Sequence, residues 1–430
     1  MSQVTQFELM PGVNLTAVHT KKFKSSLLGV QLLAPLDRER ASCNALVPMV
    51  LRRGSEAHPD MESLSAALDE LYGGSLEPVI RKRGETQCVG FLGSFLDDAY
   101  APAGEGVLER AAALMGEVLL RPATREGGFR SEYVEGERHN LVEQLRAQKN
   151  DKRQYAMLRL VQEMCAEEPF GVDRLGDEAH AAAVTAPALW ARYQSLLAES
   201  PVEVYYCGSA EPEQAADILR RALAGLPRAA EWTEPECGVL LGTSQGTPRL
   251  VEEALDVTQG KLALGFRTGG SCIWEESYPA LLLLNAVYGG TTTSKLFLNV
   301  REKLSLCYYA SSQLEKFKGL MLVSSGVEFA NFEAARDEIL AQLDQCRSGS
   351  IEDWELEGAR RSVVSALRTA LDSQTRLEDY WLGQAVAGLA EGPEELARRV
   401  EQVTREQVVE AARALELDTI YFLKGKEENA

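Results

Sequence analysis

The sequence predicts an α+β protein made of two homologous domains, each a largely antiparallel sheet with helices packed on one face. The first observation behind this is a helix-then-strand ending that occurs twice. VTAPALWARYQSLLAESPVEVYYCGS begins at Val184 and VTREQVVEAARALELDTIYFLKG begins at Val403, an offset of 219 residues in a chain of 430. The second is that the halves also begin alike, with an apolar strand leading into an apolar helix. VQLLAPL from Val30 precedes ALVPMVLRRG, and LALGF from Leu262 precedes YPALLLLNAVYGG. The third is the mixed order of strands and long helices, which departs from strict β-α alternation. The offset far exceeds the period of about 20–50 residues that marks a solenoid, so it reads as domain duplication.

Between Met61 and Tyr72, the residues Leu64, Ala67, Leu68, Leu71 and Tyr72 form an i, i+3, i+4, i+7, i+8 stripe, the pattern of an amphipathic helix. Gly73-Gly74 follows and suits a helix end that needs positive φ. QCVGFLGSFL, Gln87 to Leu96, reads as a strand, and Gly128 to Ala166 reads as one long, charged, proline-free helical stretch. From Leu226 to Pro248 the chain is rich in Pro, Gly, Glu and Thr, the composition of connecting chain. The domains are accordingly expected at residues 1–225 and 240–430, with 226–239 as linker.

Composition narrows the function. Apolar residues make up 45% and charged residues 25%, ordinary values for a globular protein of more than one domain. The net charge of -19 argues against nucleic acid or anionic membrane as partner, since both need clustered cations. The opening residues lack a basic segment followed by a continuous apolar one, and no apolar run approaches the ~20 residues of a membrane span. A cytoplasmic location is expected. The eight cysteines contain no CxxC pair and read as reduced, mostly buried thiols. No GxxxxGK[ST], and no GxGxxG after a strand, points to a nucleotide enzyme.

From Ala45 the chain runs ALVPMVLRRGSEAHPDMESLSAALDELYGGSLEPVIRKRGET. This layout resembles the signature region of the insulinase/pitrilysin/mitochondrial-processing-peptidase family. There a helix carrying HxxEH is followed by a Gly-Ser/Thr turn, a second helix and a Gly-Gly before an edge strand. Two His at i and i+4 hold Zn²⁺ on one helix face, and the Glu between them is the general base for zinc-bound water. Here the corresponding positions are Ala45, Pro48 and Met49. Alanine has no donor atom, proline no ionisable group, and a thioether is a poor zinc ligand. The family's third ligand, a Glu on a downstream helix, maps onto Glu135 in SEYVEGERHNLVEQLRA.

The run GGTTTSKLFLNVREKLSLCYYASS resembles the family's C-terminal signature, and PFGVDRLG near Pro169 fits the same family. The resemblance implies that Arg301 and Tyr308 bind substrate backbone near the scissile bond. The other reading of the pair is an Arg at a helix end joined to an acid, and a strand aromatic. Gly289 and Gly290 read as turn glycines after an apolar helix.

The resemblance spans essentially the whole chain and is nearest to the family's non-catalytic bacterial members. It implies a peptidase-like subunit without a metal cofactor, inactive alone, which pairs with an HxxEH-bearing homologue around a peptide. Peptides would add to the edge strand that begins near Leu76. Two alternatives stand beside it. One is a zinc metalloendopeptidase with atypical ligands such as Glu135 and His139, i and i+4 on one helix. The other is a peptide-binding or scaffold homodimer. His19, His58, His139 and His180 are the four histidines, and no two lie four apart.

Overall fold

The computed structural model describes residues 3–228, 241–242 and 246–426. Most of the expected linker, and Cys237, lie outside the described residues. The chain forms two compact units.

The first unit holds β1 (Gln3–Met10), β2 (Val13–His19), β3 (Ser25–Pro35), β4 (Ser75–Arg83), β5 (Thr86–Leu96), a short hairpin of β6 (Thr124–Arg125) and β7 (Gly128–Phe129), and β8 (Val202–Gly208). Six of these make one sheet in the order β1-β2-β8-β3-β5-β4, antiparallel except for the β2–β8 pair. The second unit holds β9 (Arg249–Leu255), β10 (Gly260–Arg267), β11 (Cys307–Glu315), β12 (Leu320–Val327) and β13 (Glu416–Gly425). Their order is β11-β12-β10-β13-β9, antiparallel except for β13–β9. Reading β4-β5-β3-β8-β2 against β11-β12-β10-β13-β9 matches the two sheets strand for strand, which is the duplication seen in the sequence.

The repeated endings fold alike because both helices are capped in the same way. Thr185 Oγ1 accepts the Ala188 amide ahead of helix Ala186–Glu199, and Thr404 Oγ1 accepts the Gln407 amide ahead of helix Arg405–Arg413. A threonine at this position satisfies an otherwise unpaired first-turn amide. Each sheet has one face in a large apolar core: Leu28, Val30, Leu32, Val89 and Phe91 in the first unit, Leu262, Leu264, Phe266, Met321 and Val323 in the second.

The opposite face of each sheet is covered by a helix from elsewhere in the sequence. The first unit comprises Met1–Arg146, Val172–Gly238 and Gln374–Val386, the second Ala147–Gly171, Val239–Ser373 and Ala387–Ala430. Helix Lys152–Met164 supplies Tyr155, Leu160 and Met164 to a core with Ala263, Leu322 and Tyr421 of the second sheet. Helix Gln374–Val386 lies on the first sheet, where Leu382 packs with Leu33 and Cys88. The units therefore differ from two contiguous halves by one exchanged segment each, so helices lie on both faces of each sheet. The exchange breaks the long helical stretch read from Gly128 to Ala166. Helix Ser131–Ala147 ends, a 3₁₀ turn covers Gln148–Asn150, and Asp151 restarts the chain as an N-cap. Its carboxylate accepts the Arg153 and Gln154 amides at 3.0 Å each.

The helix read to Tyr72 ends at Asp69. Tyr72 and Gly73 both take positive φ, 62° and 70°, so Tyr72 turns out of the stripe. The seven described cysteines are free, and burial pushes the Cys88 thiol up to about 12. Among the described residues, no helix is long and apolar enough to cross a membrane.

Candidate functional site

Helix Ala41–Leu51 follows β3 and is apolar nearly all round, so it is buried on most sides. Ala45 is fully buried in the first core, Met49 packs against that core, and Pro48 stands inside the helix. Proline there offers no amide to the helix ladder. Beside these positions Asn44 is also fully buried. Its Nδ2 donates to Gln87 Oε1 at 2.8 Å and its Oδ1 accepts from Arg192 Nε at 2.6 Å. Gln87 Nε2 in turn donates to the Ala41 and Arg174 carbonyls. The polar groups around the motif helix are thus tied to one another.

The helix leads into a fixed turn at Arg52-Arg53-Gly54-Ser55. Ser55 Oγ donates to Glu117 at 2.5 Å and accepts the His58 amide at 3.1 Å. Arg53 pairs with Glu137 at 3.1 Å and stacks over the Tyr133 ring at 5.2 Å, while the Tyr133 hydroxyl donates to the Pro59 carbonyl. Glu137 therefore joins helix Ser131–Ala147 to the end of the motif helix. Glu135, the sequence-derived ligand position, is exposed on that helix, as is His139. Sequence reasoning missed the Arg53–Glu137 pair. The RR at 52–53 and the EGE at 135–137 signal charges, without saying which two meet.

The donor set does not fit zinc. Ala45 and Pro48 supply no side-chain donor, Met49 supplies a thioether, and Glu135 with His139 makes two ligands against the four of a tetrahedral zinc site. Among the described residues, no group of three or more His, Cys, Asp and Glu could hold a metal ion.

In the second unit the apolar helix Tyr278–Asn285 runs on through a π-helical turn, Ala286–Gly290, and a second π-helical segment covers Leu296–Lys303. Such widened turns recur where a helix must accommodate local geometry. Gly289 and Gly290 were expected as turn glycines, yet neither has positive φ. Gly289 serves close approach instead: a Cβ there would stand 2.6 Å from Ser312 N and 2.7 Å from Ser312 Oγ on β11. Next to it Ser312 Oγ donates to Asn285 Oδ1 at 2.7 Å, which fastens β11 to the apolar helix. Lys295 is buried against Glu355 at 3.0 Å.

This scaffold places the two predicted substrate-binding residues. Arg301 lies on the Leu296–Lys303 segment, 41% exposed, with its guanidinium 4.7 Å over the Phe297 ring and 3.5 Å from Glu302. Tyr308 stands at a bulge of β11, where pairing with β12 steps from Cys307↔Val327 to Tyr309↔Gly326. A bulge re-aims the extra side chain, and Tyr308 is 57% exposed. Its hydroxyl donates to the Glu328 carboxylate, and that bond holds the phenol above its ordinary pKa. Each residue thus has an acidic partner and a solvent-facing surface.

The family profile described as "Peptidase M16 inactive domain" matches residues 183–363. The chain is 34% identical over 429 residues to the "Probable inactive metalloprotease YmfF" of Bacillus subtilis (strain 168), covering 99% of each. A crystal structure of a conserved protein from Enterococcus faecalis V583 superposes with a TM-score of 0.90 at 29% identity, covering 99% of this chain and 100% of that one. The peptidase M16 inactive domain from Pseudomonas fluorescens shares the fold, with a TM-score of 0.79 at 16% identity over 99% and 98% of the chains.

Proposed function

The chain belongs to the M16 peptidase family, and from that premise we propose that it is a non-catalytic subunit that pairs with an HxxEH-bearing homologue to form a peptide-binding or processing chamber. One observation carries this reading. The motif helix offers no zinc ligand and no general base at Ala45, Pro48 and Met49, while Arg301 and Tyr308 keep exposed polar heads on a well-braced scaffold. A guanidinium fork and a phenol can both donate to a peptide carbonyl, and neither needs a metal to do so. In this reading the partner supplies zinc, base and water, and this chain supplies donors that orient the substrate backbone.

The test is assembly. The purified chain is mixed at micromolar concentration with an HxxEH-bearing homologue from the same source, and the mixture is followed by sedimentation velocity. A complex with one copy of each is the expected species. Separate species alone would remove the pairing.

A further inference from the structure

β4 is an edge strand, and its pairing with β5 fixes which backbone groups face outward. The strands are joined by Gly84-Glu85, with Gly84 at φ 55°, and Arg83 pairs with Thr86. From such a two-residue turn, hydrogen-bonded and non-hydrogen-bonded pairs alternate along the hairpin. Leu76, Pro78, Ile80 and Lys82 are therefore the residues whose N–H and C=O groups point away from β5. Pro78 agrees with this parity, since a strand proline is tolerated where its missing N–H faces outward.

Three of these four outward carbonyls already accept a guanidinium. Arg52 Nε donates to the Leu76 carbonyl at 2.6 Å, Arg174 Nη1 to the Ile80 carbonyl at 3.1 Å, and Arg83 Nη1 to the Lys82 carbonyl at 3.3 Å. Among the outward N–H groups, Pro78 contributes none. The Arg52 side chain is only 14% exposed, and Arg52 directly follows the motif helix. Arg174 comes from the Val172–Gly238 segment of the same unit. An added strand gains its affinity from main-chain hydrogen bonds along an edge, and charged side chains and proline are the means by which edges are blunted.

We propose that Arg52 and Arg174 each close their own part of β4 to strand addition, so that a peptide pairs with either part of this edge only when the guanidinium that caps it leaves. The proposal stands on the edge strand alone and holds whether or not the chain pairs with a homologue. It assigns peptide holding by this chain to surfaces other than β4.

The test is backbone amide hydrogen exchange at Leu76, Ile80 and Lys82. It is run with and without a soluble lysine-flanked peptide of alternating threonine and valine. The proteins are the wild-type chain, Arg52→Met, Arg174→Met and the double variant; methionine keeps an apolar stem and donates nothing. The expected result is no change in the wild type, and slowing of these amides by about tenfold or more in the double variant at the same peptide concentration. Far-UV circular dichroism melting establishes which variants are folded. If the double variant does not fold, either folded single variant must gain protection. Equal slowing in the wild type overturns the proposal, and so does a folded set of variants that gains none.

Discussion

The Glu378 carboxylate lies 2.7 Å from the Arg81 guanidinium, although 297 residues separate them in sequence. Glu378 is 1% exposed. Its helix, Gln374–Val386, is further held by Gln374, which bonds to Ser25 and to the Cys207 carbonyl. The second unit repeats the device. Glu168, in the exchanged Ala147–Gly171 segment, meets Arg267 and the fully buried Lys318, each at 2.6 Å. Each exchanged segment is thus fastened to its sheet by a buried ion pair.

Removing one partner of such a pair leaves an uncompensated buried charge. Glu378→Ala should lower unfolding free energy by about 3–5 kcal/mol in urea titration. The double replacement Arg81→Met with Glu378→Met should recover much of that loss. Equal loss in the single and double variants would show that the pair does not fasten the helix.

Acid should act on the two fastenings with opposite sign. Burial alone would raise Glu168, but hydrogen bonds from Arg267 and Lys318 outweigh it and hold the carboxyl below its ordinary 4.5. Its stabilising contribution is present above that value and is lost as pH falls through the depressed folded-state pKa. Burial raises Glu378 above 4.5, and Arg81 offsets this only in part. Its contribution is present below 4.5 and is lost as pH rises through the folded-state pKa. As pH falls below about 4.5, the thermal midpoint of Glu168→Gln should fall less steeply than that of the wild type, and as pH rises above about 4.5, that of Glu378→Gln should escape the loss that ionising Glu378 imposes on the wild type.

Gly289→Ala should force the helix away from β11, because the new Cβ would meet the Ser312 backbone and hydroxyl. A loss of about 1–3 kcal/mol is expected from overpacking of this kind, measured by urea unfolding. A neutral result would mean that the strand has room to move.

Zinc content offers a separate check on the motif helix. The chain, dialysed without chelator, should carry close to no zinc per mole by atomic absorption, because no donor set among the described residues fits it. A content near one mole per mole would mean that other ligands form the site, and the metallopeptidase reading would return.

Much of the fold was legible in the chain because its signals are local. The endings at Val184 and Val403 match in apolar pattern and in the capping threonines Thr185 and Thr404, so the duplication could be read without structure. The exchanged helices could not, because which sheet buries a helix depends on long-range partners such as Glu378–Arg81. The break at Asp151 did have a signal, an Asn-Asp pair suited to capping, hidden in a run otherwise good for helix. At the site, the residue types at positions 45, 48 and 49 were enough to question zinc chemistry. The bulge at Tyr308 and the closeness of Gly289 to Ser312 are matters of register and distance that residue types do not encode.

The most direct test of the central claim is peptide turnover by the complex with an HxxEH-bearing homologue, comparing wild-type chain with Arg301→Ala. The account predicts unchanged assembly and turnover lower by about tenfold or more, the scale of one lost charged hydrogen bond. Unchanged turnover in an intact complex would contradict it, and would leave Arg301 as part of the architecture alone.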